Sequence, residues 1–345
     1  MAVWKRGLKS ASWVVSMLCL LYGGLTAAYV FARLIIGERW SLVELANSLM
    51  PNPLLPLFIA VPILLLLRRW RWSLIYAPAL LVFTVQYSPL LLPNVSDAPV
   101  TSPHVRVLTY NLGSMVADAG HTAEVIRSAD AHIVALQELL LPVAERLVAD
   151  LSDLYPYRAL HPNDSYAQGV GLLSKYPITD DRYLDQIVLG GQQTRIALAA
   201  DTTITVLNVH PVAPAARLFG IESTLRSQEI SYALDLAAQV TEPLLLVGDF
   251  NTTDQTEVYA RIAARYGDAF RAGGTGFGAS FPNFTRFAPR LRWLPPIIRI
   301  DYVFYDVHWE AVRAYTLGDH GGSDHYPVLA ELAFTGGQAV ARSGD

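Results

Sequence analysis

Residues 243–251 read Pro243-Leu244-Leu245-Leu246-Val247-Gly248-Asp249-Phe250-Asn251. A short apolar run closed by glycine, an acid and an amide predicts a buried strand, Leu244 to Val247, that delivers Asp249 and Asn251 at its carboxyl end. The pattern recurs on both sides. Asn111 closes the run from Val105 to Tyr110, Gln137 and Glu138 close Ile133 to Leu136, and Asn208 and His210 close Ile204 to Val209. Asp301 sits inside Ile300 to Tyr305, and Asp324-His325 stand just before Val328 to Ala333. Gly169 to Ser174 and Arg195 to Ala200 also read as strands, and helical periodicity runs through 121–129, 140–152, 222–240 and 256–266. Many short strands with few long helices predict an α/β fold of two packed mixed sheets with helices outside.

A carboxylate at the edge of an apolar core is costly unless a cation or hydrogen bonds compensate it. An Asn or Asp after a strand is often only a turn former, and His210-Pro211 alone is ordinary loop chemistry. Asp301 within an apolar strand resists that account, because strands are depleted in Asp. Six such segments together point to one shared site at the strand ends.

The N-terminal third has a different composition. Residues 1–93 hold eight Lys and Arg against only Glu38 and Glu44, whereas the remainder holds 18 basic and 28 acidic residues. Trp13 to Ile36 is 24 residues with one charge, Arg33, near its end. A span needs roughly 20 apolar residues for a ~30 Å hydrocarbon core. Leu54 to Leu67, extended backward from Leu42 across Pro51 and Pro53, predicts a second span, and the uncharged Ser73 to Leu92 a third. A cleaved leader is the competing reading of the first run, but its length and the two later runs favour retention. Lys5, Arg6 and Lys9 precede the first span, and Arg68-Arg69-Trp70-Arg71 separate the second from the third. Keeping those loops inside places the N-terminus in the cytoplasm and residue 94 onward outside. The expected organisation is an anchor of three transmembrane helices (1–93), a linker (94–103), a catalytic domain (104–335) and a polar tail (336–345). The lone Cys19 lies in an apolar run, which excludes an internal disulfide and thiolate metal sites.

The polar set suits phosphoester cleavage. Hard oxygen ligands such as Glu138 and Asp324, with an amide oxygen from Asn111, suit Mg²⁺ or Mn²⁺. Asp301 paired with His325 would fix one imidazole tautomer and make the ring a usable base. Asn251 and His210 can stabilise charge on phosphoryl oxygens.

The ordered segments TYNL, QE, NVHP, GDFN, RIDYVF and SDH, spread over residues 104–335, resemble the endonuclease/exonuclease/phosphatase superfamily. The resemblance implies two packed β-sheets flanked by helices with the site at one end. It implies metal binding by Asn111 and Glu138, with Asp324 as a further ligand. Asp249 and Asn251 would position the attacking water and the phosphate, His210 would contact the phosphate, and Asp301 would orient His325. Arg195 would face the phosphate. Where some nuclease members carry an acid two positions after the first-motif Asn, this chain has Gly113. Anchor and domain together resemble bacterial membrane-anchored members, including those of the VanJ type.

The expectation is therefore a membrane-anchored, extracytoplasmic, metal-dependent phosphoesterase whose partners are the lipid bilayer and a phosphate ester, with a lipid-linked phosphate or pyrophosphate as the candidate substrate class. Arg286, Arg290, Arg292 and Arg299, beside Trp293, form a candidate headgroup rim, with Arg290 and Arg292 as substrate contacts; a solvated loop is the plain alternative. A surface nuclease is disfavoured because an acidic domain repels polyanions. A non-catalytic scaffold would predict lapsed motifs, and these are intact.

Overall fold

The computed structural model describes residues 2–92, 102–113, 118–164 and 167–336. Most of the expected linker and nearly all of the polar tail lie outside the described residues. The chain divides into two compact units. The first runs to Pro89 and takes in Ala216–Glu222 and Gln255–Glu257; the second holds the rest of the described chain.

In the first unit, Ser10–Ile35 and Trp70–Leu91 are long and apolar enough to cross a membrane. The expected middle span is instead a pair of helices, Ser41–Ser48 and Asn52–Leu66, bent by 90°. Pro51, Pro53 and Pro56 crowd the break, and each removes an N–H donor and disfavours a helical predecessor, so the two pieces do not join. The unit is laced by tyrosines: Tyr76 donates to the Cys19 carbonyl (2.6 Å), Tyr29 to Asn47 Oδ1 (2.6 Å) and Tyr22 to the Pro53 carbonyl (2.7 Å). Leu18, Leu21, Leu25 and Leu34 point outward, as lipid-facing residues would.

The second unit contains two six-stranded sheets. In chain order the strands are β1 (His104–Asn111), β2 (Ile133–Gln137), β3 (Tyr157–His161), β4 (Val170–Ser174), β5 (Ile178–Tyr183), β6 (Gly191–Ala199) and β7 (Thr202–Val209). The short β8 (Ala215–Arg217) and β9 (Gly220–Glu222), which pair with each other and group with the first unit apart from Ala215, come next in the chain, then β10 (Leu244–Asp249), β11 (Gly267–Asp268), β12 (Asp301–Tyr305), β13 (Trp309–Thr316) and β14 (Val328–Phe334). The first sheet has the order β13-β14-β1-β2-β4-β3, the second β11-β12-β10-β7-β6-β5. Each has a single parallel pair at its centre, β1 with β2 and β10 with β7, flanked by antiparallel strands. A parallel pair needs a crossover. Helix Ala119–Ala129 supplies the first and helix Thr224–Ala237 the second.

The sheets pack face to face, with helices Ala119–Ala129 and Leu141–Leu151 on one outer face and Thr224–Ala237 and Glu257–Ala263 on the other. This is the expected four-layer arrangement. Local sequence explains the helices. Ala144, Leu147 and Leu151 form a buried stripe, and Asp118 caps Ala119–Ala129 by accepting from the Gly120 and His121 N–H groups. Between the sheets a buried amide pair acts as a bolt: Gln137 Nε2 donates to Asn208 Oδ1 (2.7 Å), and Asn208 Nδ2 donates to the Leu136 (3.0 Å) and Gly171 (3.2 Å) carbonyls.

Candidate active site

In each parallel pair both strands point their carboxyl ends the same way, so β1, β2, β7 and β10 deliver Asn111, Glu138, His210 and Asp249 together. Glycine makes the closest approach possible. Gly248 has φ +137°, and a Cβ there would lie 2.0 Å from the Val209 carbonyl oxygen. Any side chain would pry β10 from β7, the strands that carry Asp249 and His210. Two non-glycine residues take left-handed backbone immediately after the strands, Glu138 at φ +56° and Asn251 at φ +48°. Such conformations typically cost about 1–2 kcal/mol and cluster where side-chain aim matters.

Asp249 is the hub. Its Oδ2 accepts from Asn111 Nδ2 at 3.0 Å and its Oδ1 from the Asn251 backbone N–H at 2.9 Å. His210 Nε2 lies 3.5 Å and His325 Nε2 3.7 Å from the same Oδ2. Asn111 Nδ2 also reaches Glu138 Oε1 (3.2 Å), while its oxygen accepts from the Gly113 N–H (3.0 Å). The amide nitrogen, not the expected oxygen, thus faces the carboxylates. His325 Nδ1 pairs with Asp301 Oδ2 at 3.0 Å. Ser323, which the sequence reading missed, donates from Oγ to the Asn111 carbonyl (2.7 Å) and accepts from the His325 N–H (2.9 Å), tying first motif to last. Phe281 lies against the His325 ring with centroids 4.7 Å apart. Asn251 turns its amide to the Pro211 carbonyl (3.0 Å).

Burial sets the charge states. It lowers the His325 pKa, but Asp301 and Asp249 outweigh it and raise the ring to about 10. That shift favours the protonated ring, a hydrogen-bond donor set between two carboxylates. Burial and the charge of His325 depress His210, which stays neutral. Burial, then the neighbouring Asp301, pushes Asp249 well above the ordinary carboxylate range. Burial also raises Asp324, with Glu138 contributing.

Within the site, the buried atoms Asp301 Oδ1, Asp324 Oδ1 and His210 Nδ1 lack a hydrogen-bond partner. Orphaned acceptors amid several carboxylates are what a hard cation and a phosphate would satisfy. Ligand atoms of Asp249, Asp301 and His325 lie within 4.8 Å of one another. That trio is a poorer cage than its spacing suggests, since Asp301 occupies His325 Nδ1 and two carboxylates keep the ring protonated. Glu138 and Asp324 offer further carboxylate oxygens, and hard oxygens of that kind suit a cation.

The arginines fall elsewhere. Arg195 lies partway along β6 and is ion-paired with Glu242. Arg299 is buried and paired with Asp268 at 2.7 Å, so it is no part of a rim. Arg290 and Arg292 are exposed beside Trp293, which is 73% exposed. Their loop is rooted at the site, where Asn283 donates from Nδ2 to the Ser323 carbonyl (2.8 Å) and from its backbone N–H to the Asp324 carbonyl (2.7 Å). The side chain of Arg286 lies outside the described residues.

A profile of the Endonuclease/Exonuclease/phosphatase family matches residues 108–325. No curated protein matches the chain. Among solved structures, an endonuclease/exonuclease/phosphatase from Bacteroides vulgatus is 19% identical with TM-score 0.53, covering 67% of this chain and 99% of that one. A functionally unknown conserved protein from Enterococcus faecalis is 20% identical with TM-score 0.53, covering 66% and 99%. TDP2 of D. rerio, solved with a single-strand DNA product, is 13% identical with TM-score 0.54, covering 66% and 98%. At these identities the likeness is one of fold.

Proposed function

The chain belongs to the endonuclease/exonuclease/phosphatase family, and from that premise we propose that it is a membrane-anchored hydrolase cleaving a phosphate ester or pyrophosphate on a lipid headgroup outside the cytoplasm. The observation that supports hydrolysis most is the buried line Asp301–His325–Asp249, with Asn111 bridging Asp249 to Glu138. Glu138 and Asp324, with Asn111 beside them, would hold Mg²⁺ or Mn²⁺. Such an ion, when bound, offsets phosphate charge and orients the ester.

The chain's own residues supply the rest. Asp249, raised toward neutrality and held by the Asn251 N–H, takes a proton from water as the water oxygen attacks phosphorus. Cationic His325, oriented by Asp301, donates to a phosphoryl oxygen, and neutral His210 offers a second donor. The phosphorus–oxygen ester bond breaks, and the departing oxygen takes a proton from solvent.

Two candidate spans, the net acidity of the second unit and the exposed Arg290, Arg292 and Trp293 favour a headgroup at a surface over a polyanion. The test offers the full-length protein, in vesicles with Mg²⁺ or Mn²⁺, a lipid phosphate, a lipid pyrophosphate and single-stranded DNA at matched phosphate. Turnover of a lipid substrate, abolished by chelator and slowed by replacing Arg290 and Arg292 with Ser, is expected. Rapid DNA cleavage with every lipid ignored would install the nuclease reading instead. Reporter fusions at residues 39 and 70 flank the bent pair, so opposite readings mean that it crosses and identical readings that it does not, and a fusion at residue 102 reads the side of the catalytic domain.

A further inference from the structure

Helix Thr224–Ala237 presents an apolar stripe to its sheet through Ile230, Ala233, Leu234 and Ala237. Two charged residues interrupt that stripe one turn apart, Arg226 (1% exposed) and Glu229 (3% exposed). Charges are rarely buried without a fixed task, and the hydrogen bonds of these two show what they hold. Arg226 Nη1 donates to the Asn251 carbonyl at 2.9 Å. Glu229 Oε1 accepts from the Val188 N–H at 2.8 Å, and Oε2 from the Val212 N–H at 2.7 Å.

These bonds close a ring around the site. Val212 lies two residues past His210. The Pro211 carbonyl between them accepts from Asn251 Nδ2 at 3.0 Å, and the Asn251 carbonyl leads back to Arg226 on the same helical turn. On the other side the His210 N–H donates to the Gly190 carbonyl (2.9 Å), in the loop whose Val188 N–H is bound by Glu229. One carboxylate therefore grips the backbone on both flanks of His210, and one guanidinium fixes the peptide after the left-handed Asn251. We infer that Arg226 and Glu229 are positioning residues that set the aim of His210 and Asn251 from a single helical turn. Neither lies among the site residues described above. As far as catalysis is concerned, the inference rests on the hydrolase reading; the bracing itself does not.

The experiment uses full-length protein carrying Glu229→Gln or Arg226→Lys. An amide keeps the volume of Glu229 and one acceptor oxygen but turns an NH₂ group toward the second backbone N–H. Losing such a bond to a charged acceptor should speed amide exchange about tenfold in peptides covering 186–190 and 210–214, with the peptide covering 244–249 unchanged. A misaimed donor should lower kcat about 10–100-fold on bis(p-nitrophenyl) phosphate with little change in KM, at temperatures where the variant stays folded. Unchanged exchange and unchanged kcat in Glu229→Gln would overturn the inference. So would a kcat loss that merely tracks the loss of Tm, since that marks a purely structural role. If Glu229→Gln does not fold, Arg226→Lys is read in the same way on the peptide covering 249–254. Faster exchange with no phosphoesterase activity in the wild type would leave the bracing standing and sink the hydrolase reading alone.

Discussion

Asn208 stands two residues before His210 in one of the motifs read from sequence, yet the structure gives it another task, and replacing it by Ala separates the two. The side chain makes three buried bonds between the sheets: from Gln137 at 2.7 Å, to Leu136 O at 3.0 Å and to Gly171 O at 3.2 Å. At about 1 kcal/mol for each net hydrogen bond, Asn208→Ala should cost about 3 kcal/mol. The cost should exceed a simple truncation because the two carbonyls and the Gln137 amide stay buried without those partners. For a domain of this size that corresponds to a Tm lower by roughly 6–12 °C. Far-ultraviolet circular dichroism of the full-length protein in detergent measures the melt, and phosphodiester turnover 20 °C below the lowered midpoint measures the chemistry. We expect kcat within about threefold of wild type, since no bond of Asn208 reaches Asp249, His210 or Glu138. A kcat that collapses in the folded variant would place Asn208 in the chemistry, and an unmoved melt would show that the amide bolt holds nothing.

Asp249→Asn should abolish turnover, by about 10²–10⁴-fold, while leaving the melt equal to or above wild type, because it removes a buried charge that Asp301 opposes; a variant within tenfold of wild-type kcat contradicts the assigned role. Asp181 provides a pH test away from the site. Burial works to raise its pKa, but hydrogen bonds from His161, Gln192 and Thr194 outweigh it and hold the carboxyl below its ordinary value. A depressed folded pKa means stability that is present above the unfolded value and is lost as pH falls through the folded one. The Tm gap between wild type and Asp181→Asn should thus be constant above about pH 5 and close below about pH 4; a gap that widens on acidification refutes the assignment.

What was readable in the sequence follows from burial. The central strands are apolar on both faces, so β1, β2, β4, β7, β10, β12 and β14 announced themselves, and the polar residues closing them marked the site. Edge strands escaped notice because solvent permits charge where pattern reading wants alternation. β5, Ile-Thr-Asp-Asp-Arg-Tyr, is mostly exposed or half-buried, and β3 and β13 carry charges of their own. Arg226 and Glu229 did leave a signal, occupying two positions of the helical stripe completed by Ile230, Ala233 and Leu234. A charge on an apolar stripe states that something is held without saying what. Chain direction does not reveal where an arginine will point either, and Arg195, Arg290 and Arg299 end in three different surroundings.

The pairing of β1 with β14 joins His104 to Ala333 across almost the whole length of the second unit. During synthesis β1 and β2 leave the ribosome early, directly after the apolar helices, yet the edge of β1 has no partner until the final strand is made. Contacts so distant in sequence slow folding, because most of the loop must be ordered before they form. Ser323, which carries the bond from the His325 segment to Asn111, emerges only just before β14. The motif made first is therefore locked by the motif made last, and a chain truncated just after Tyr326 would carry every site residue named above and still lack β14, the strand that pairs with β1.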